Sequence, residues 1–209
     1  MAKKSAVNNT KVTKEQWLDA AYQRLVTGGV STVKVAKLAS ELDVSRSSFY
    51  WYFMDRNDLL QHLITRWREH NIDPMVQACS VPSQTLTEAT LHIFDVWANP
   101  DAFDEGLELA IRAWAATDDT LADELAAADA LRIESIAAVH ERFGQDADQA
   151  IVSARVHFLS QIGRYTLRLD ETWEQRSAVA PLYVEAFTGS VPSEAELVAF
   201  RTRIEQLGS

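Results

Sequence analysis

The side chains of this chain best equipped for molecular recognition lie between Val44 and Phe53, where Arg46, Ser47, Ser48, Tyr50 and Trp51 fall within about two helical turns. Ser45 is suited to cap a short helix there, and Val44 and Phe49 take its inward positions, which leaves those five side chains outward. A guanidinium, hydroxyls and flat aromatic rings on one exposed face are groups that hydrogen-bond base edges and phosphate oxygens. Nothing comparable supports catalysis. The chain has no Gly-rich phosphate loop, no Gly-x-Ser-x-Gly elbow, no Cys/His metal spacing and no paired Glu-x-x-His motif. Glu88 and His92 sit at i and i+4, a spacing that arises easily by chance, and His140-Glu141 has no partner in sequence. No catalytic residue, metal site or cofactor is therefore expected.

Such a face needs a second helix to hold it. Val35, Leu38, Ala39 and Leu42 fall at i, i+3, i+4 and i+7, one apolar stripe on a helix ending at Asp43, a residue that tolerates the left-handed conformation. Two short helices joined by about three residues make a helix-turn-helix, whose second helix enters the major groove while the first crosses the backbone. Upstream, Thr13 with Gln16 signals a capping box, and Leu18, Ala21, Tyr22 and Leu25 form a helical stripe ended by Gly28-Gly29. Trp17 is expected to pack inside this unit. Met1 to Thr10 read as an unstructured arm. Downstream, Asp55 caps a longer helix in which Leu60, Leu63, Ile64 and Trp67 share a face, and which runs past Arg68 to link the unit to the C-terminal part of the chain. Arg56, at the start of that helix, is an unfavourable charge for the helix dipole, more easily explained if a phosphate meets it.

The run from Leu38 to Leu60 resembles the DNA-binding signature of TetR-type transcriptional regulators, through Leu38-Ala39, Val44-Ser45, Phe49-Tyr50-Trp51-Tyr52-Phe53 and a basic residue at Arg56. Asp43 stands where that family has Gly, Tyr52 where it has His, Arg56 where it has Lys, and Lys34-Val35 where it has a Thr pair. The resemblance implies an all-α chain with an N-terminal arm and three-helix helix-turn-helix domain over residues 1–54, and a helical effector-binding and dimerisation domain over 55–209. It implies double-stranded DNA, a small-molecule effector and a second copy of the chain as partners, with repression the commoner mode. Within the motif, Arg46 is the candidate for a bidentate contact to a guanine edge. Ser47, Ser48 and Trp51 would touch base edges, thymine methyls or backbone, with Ser45 beside them. Tyr50, Tyr52, Arg56 and Lys34 would hold phosphates and so set register.

The net charge of -10 argues against nucleic acid until its distribution is counted: residues 1–70 carry 11 Lys+Arg against 7 Asp+Glu, and the remainder 9 against 23. All six lysines lie at or before Lys37, so the basic footprint falls on the helix-turn-helix, and Lys3, Lys4, Lys11 and Lys14 would add non-specific affinity. A hydrophobic content of 47% with 7 Gly and 5 Pro favours an ordered helical globule. The single Cys79 gives no internal disulfide, no N-terminal run resembles a signal peptide, and no segment approaches a membrane span. A cytoplasmic location is expected.

After a break at Cys79–Gln84, helices are expected near 87–98, 102–117, 119–143, 146–169, 172–188 with an interruption at Pro181, and 193–207. The 146–169 helix is apolar on two faces. Ile151, Ala154, Phe158, Ile162 and Tyr165 make one stripe, and Val152, Val156, Leu159, Gly163 and Leu167 another. A surface helix needs only one such face, and the second must be covered by more of its own chain or by a partner subunit. Because the resembling family pairs C-terminal helices into a four-helix bundle, a homodimer on a near-palindromic operator is expected, its recognition helices about 34 Å apart. The pairing residues expected are Ile151, Ala154, Phe158, Ile162, Gly163 and Tyr165, although the pattern leaves open which stripe meets the partner. Trp67, His92, Trp97, Phe103, Trp114, His157 and Phe158 are candidates for lining an effector pocket. Glu108 and Arg112 read as an exposed i, i+4 pair. The alternative function is a helical scaffold that binds protein and has lost its DNA role.

Overall fold

The computed structural model describes residues 12–169 and 171–207; the N-terminal arm and Lys3, Lys4 and Lys11 lie outside them. Every regular element among the described residues is helical: α1 Lys14–Gly28, α2 Val35–Glu41, α3 Arg56–Asn71, α4 Asp73–Cys79, α5 Leu86–Ala98, α6 Glu105–Ala115, α7 Asp119–Arg142, α8 Ala147–Leu167, α9 Trp173–Thr188 and α10 Glu194–Leu207, with short 3-10 segments at Val30–Thr32 and Arg46–Trp51. The chain divides into two compact units, one ending at Thr65 and one beginning at Arg66. That division lies inside α3, beyond the residue 54 boundary expected from sequence.

The first unit begins as its capping signal implies. The Thr13 hydroxyl accepts from the Gln16 N–H while the Gln16 side chain accepts from the Thr13 N–H, satisfying two donors that a helix start leaves free. Trp17, Leu18, Ala21 and Leu25 of α1 are buried, as are Leu38 and Ala39 of α2 and Phe49 and Phe53 beyond it. Trp17 meets Phe49 edge-on at 5.3 Å, and Phe49 stacks on Phe53 at 5.1 Å. An ion pair between Arg24 and Glu41 ties α1 to α2.

In the second unit α7 and α8 form the main helix pair, with α4, α5 and α6 packed against α7. The core joins Met75, Ile93, Val96, Phe103, Ile136, Val139, Ala154, Phe158 and Tyr165, and a smaller one joins Leu91 of α5, Ala180 and Val184 of α9, and Phe200 of α10. Two expectations are corrected. The link beyond Asp55 is not one helix, because α3 stops at Asn71 and α4 restarts with Pro74 in its first turn, where a missing N–H costs nothing. Conversely α9 is continuous through Pro181, the lost hydrogen bond being outweighed by burial of Ala180 and Val184 on either side.

Glu108 is the third correction. It is fully buried, not half of a surface pair: Oε2 accepts from Trp67 Nε1 at 2.7 Å, Asn71 Nδ2 at 3.2 Å and Arg132 Nη1 at 3.2 Å, and Oε1 from Arg112 Nε at 2.9 Å and Arg132 Nη2 at 3.1 Å. Asp129 accepts from Arg112 at 2.7 and 2.9 Å and also from Arg132. Burial pushes the Glu108 carboxyl upward, but the facing Arg132 and Arg112 outweigh it and hold it below the ordinary carboxylate range. A buried carboxylate with five donors joins α3, α6 and α7.

Candidate nucleic-acid interface and a cavity in the helical unit

The turn between α2 and the recognition segment is built on Asp43. Its φ of 53° is left-handed, the Val44 N–H donates to the Ala39 carbonyl at 3.0 Å and the Asp43 N–H to that of Ser40 at 3.4 Å. Those two bonds close α2 in the Schellman pattern, so Asp43 does the work usually given to glycine. The segment it launches, Arg46–Trp51, is wound as a 3-10 helix. Ser45 occupies its N-cap position without a side-chain cap bond: the Ser45 hydroxyl pairs with that of Ser47 at 2.8 Å, and the Ser48 hydroxyl donates to the Ser45 carbonyl at 2.7 Å. The buried Phe49 anchors the segment, while Arg46, Ser47, Tyr50 and Trp51 are exposed, Trp51 by 65%. Lys34, at the N-cap of α2, is exposed as well.

Two expected phosphate contacts are used inside the unit. Arg56 donates from Nε to the Val33 carbonyl and from Nη2 to the Val30 carbonyl, both at 2.6 Å. Carbonyl partners therefore explain a cation at the start of α3, and the arginine clamps α3 to the loop before α2. The Tyr52 hydroxyl donates to the Val12 carbonyl at 2.9 Å, so its one hydrogen is taken and it has none to offer a phosphate.

Residues 18–63 match the family model described as bacterial regulatory proteins, tetR family. This is the DNA-binding domain of a TetR-family regulator. The matched residues run from α1 to α3 and include the whole helix-turn-helix. No curated protein matches the chain. As a TetR-family regulator it is a DNA-binding protein of transcription, and its all-helical second unit is compatible with ligand binding and dimerisation. No described helix is long and apolar enough to cross a membrane, and no described group of His, Cys, Asp and Glu could hold a metal.

The second unit holds a cavity of about 350 Å³ among α5, α8, α9 and α10. Of the pocket candidates only Trp97 and His157 line it. Trp67 is committed to Glu108, Trp114 donates to Asp118 at 3.1 Å, His92 lies 3.4 Å from Asp95, Phe103 stacks on Tyr165 at 5.2 Å, and Phe158 lies under the Arg132 guanidinium at 4.9 Å. Sequence reasoning missed Arg164, Arg176, Tyr183 and Phe187, because it sought aromatics in the middle helices and the cavity is closed by the last two. The dimer residues are also redistributed. Ala154, Phe158 and Tyr165 are buried in the core, with Ile151 and Ile162 packed against it. Gly163 lines the cavity, with open space where a Cβ would stand. The opposite stripe, Val152, Val156, Leu159 and Leu167, is exposed, together with Leu182 and Tyr183 of α9.

Proposed function

We propose that this TetR-family regulator is a cytoplasmic homodimer that represses transcription from a near-palindromic operator and is released by a small-molecule effector. The observation that carries this reading is that Leu167 and Tyr183 both line the cavity and belong to the exposed apolar set on α8 and α9. A chain in water gains by covering such a face, and a second copy offers the same apolar face in return. A ligand in the cavity would then touch the pairing surface, and a change in pairing alters the separation of the two recognition segments on DNA. Arg46 reads base edges, and Ser47, Tyr50, Trp51 and Lys34 support it from the exposed side. The family's usual mode supports repression by analogy only.

The test is selection from a pool of random duplexes at near-physiological salt, with sedimentation of the retained complex. An enriched inverted repeat bound by two chains is the expected result. Enrichment of a single half-site by one chain would sink the dimer reading, and no enrichment at all would favour a protein partner over DNA.

A further inference from the structure

The cavity is lined by aromatic rings and by two arginines. His157, fully buried, stacks on Phe187 at 4.3 Å and stands edge-on to Trp97 at 5.0 Å and Phe94 at 5.6 Å. Neither of its ring nitrogens has a hydrogen-bond partner. Arg164 of α8 and Arg176 of α9 also line the cavity. Nε and Nη2 of Arg164 are buried without a hydrogen bond, the nearest carboxylate oxygen, of the half-exposed Glu105, lying 3.6 Å from Nη2. Arg176 donates over a long 3.5 Å to the Trp97 carbonyl. Burial, and then the neighbouring Arg164, hold its pKa below the ordinary arginine value, so the two guanidiniums lie in each other's field. Glu171, the acidic residue of the lining, is exposed.

The guanidinium of Arg164 also lies over the Tyr165 ring at 4.3 Å, and Glu105 and Glu171 act on Arg176. Even so, the buried Arg164 donors without acceptors are costly, and two guanidiniums in each other's field become favourable around an anion. The aromatic lining favours an aromatic body that can stack or meet rings edge-on, and the volume is at the small end of ligand sites. Resting on the reading of this cavity as the effector site, we propose that it takes a small aromatic carboxylate, its carboxylate toward Arg164 and Arg176 and its ring against Trp97, His157 and Phe187. Such a ligand would draw α8 and α9 together at the arginines, and these are the helices that carry the exposed apolar face.

The experiment is calorimetric titration and thermal-shift measurement of the full chain with benzoate, phenylacetate and indole-3-acetate, each beside its carboxamide. The result expected is binding by at least one carboxylate about tenfold or more tighter than its amide, since one charge-assisted pair amounts to roughly a decade in affinity. That preference should vanish in Arg164→Gln and in Arg176→Gln; the second, on a half-exposed residue, serves if the first misfolds. Binding should also be lost in Gly163→Phe and Ser160→Trp, which place bulk in the cavity. Amides binding as well as carboxylates, with loss in the filled variants, would overturn the anionic ligand and leave the cavity as effector site. Carboxylate binding that survives both filled variants would overturn the cavity itself, and the proposal with it. No binding by any probe would overturn the aromatic-carboxylate class.

Discussion

Two arginines of the DNA-binding unit that the sequence assigns to DNA, Arg46 to a base and Arg56 to a phosphate, differ in what they touch. Arg46 is exposed on the recognition segment, whereas Arg56 donates twice into the backbone at Val30 and Val33. Arg46→Ala should therefore leave folding intact and cost about 1–3 kcal/mol on the specific operator, relaxing one base position. Equal weakening on specific and random duplexes, measured by competition titration, would make Arg46 a phosphate contact instead. Arg56→Ala should lower the stability of the unit by about 1.5–3 kcal/mol, the range for hydrogen bonds to a charged group, in chemical denaturation. A variant that keeps full stability but loses DNA affinity would restore the phosphate role. Tyr52 falls on the same side as Arg56, since its hydroxyl proton is spent on Val12.

At the scale of elements, α8 separates its two apolar stripes cleanly: Ala154, Phe158 and Tyr165 belong to the core, while Val152, Val156 and Leu159 are exposed. In the proposed dimer, Leu159→Glu should leave a monomer in sedimentation with helicity unchanged, and Ala154→Glu should unfold the second unit by burying a charge. If Leu159→Glu remains dimeric, the pairing face lies elsewhere. The join of α3, α6 and α7 depends on Glu108. Replacing it with Gln leaves the buried Arg132 with Asp129 as its remaining counter-charge and should cost up to about 3–5 kcal/mol in urea unfolding. Glu108→Leu with Arg132→Met should cost less than that, because both desolvated charges are removed together.

For the whole molecule, the buried histidines contribute to the response to acid, beside the Glu108 and Glu196 carboxyls that the fold holds low. Burial first, then the neighbouring His140, pushes the His157 pKa down to about 3, and burial also lowers that of His140. The unfolded chain then binds protons that the native state refuses, so stability is complete above the unfolded histidine value of about 6.5 and declines as pH falls toward 3. His157→Phe should flatten part of that decline in urea midpoints taken between pH 7 and 4, and an unchanged slope would mean that His157 is not the group responsible. The local elements were legible in the sequence because their causes are local: the Thr13 capping box, the left-handed turn at Asp43, the stripe of α2, and a recognition segment anchored by the inward Phe49. Charge segregation and the family signature are also properties of the chain itself. Tertiary structure alone decided which stripe of α8 lies inside, that Glu108 is a buried hub, that Arg56 answers to carbonyls, and that the cavity draws on α8, α9 and α10. The physical reason is that a helix repeat fixes which residues share a face, whereas the burial of that face and the partner of a long polar side chain depend on elements far away in sequence.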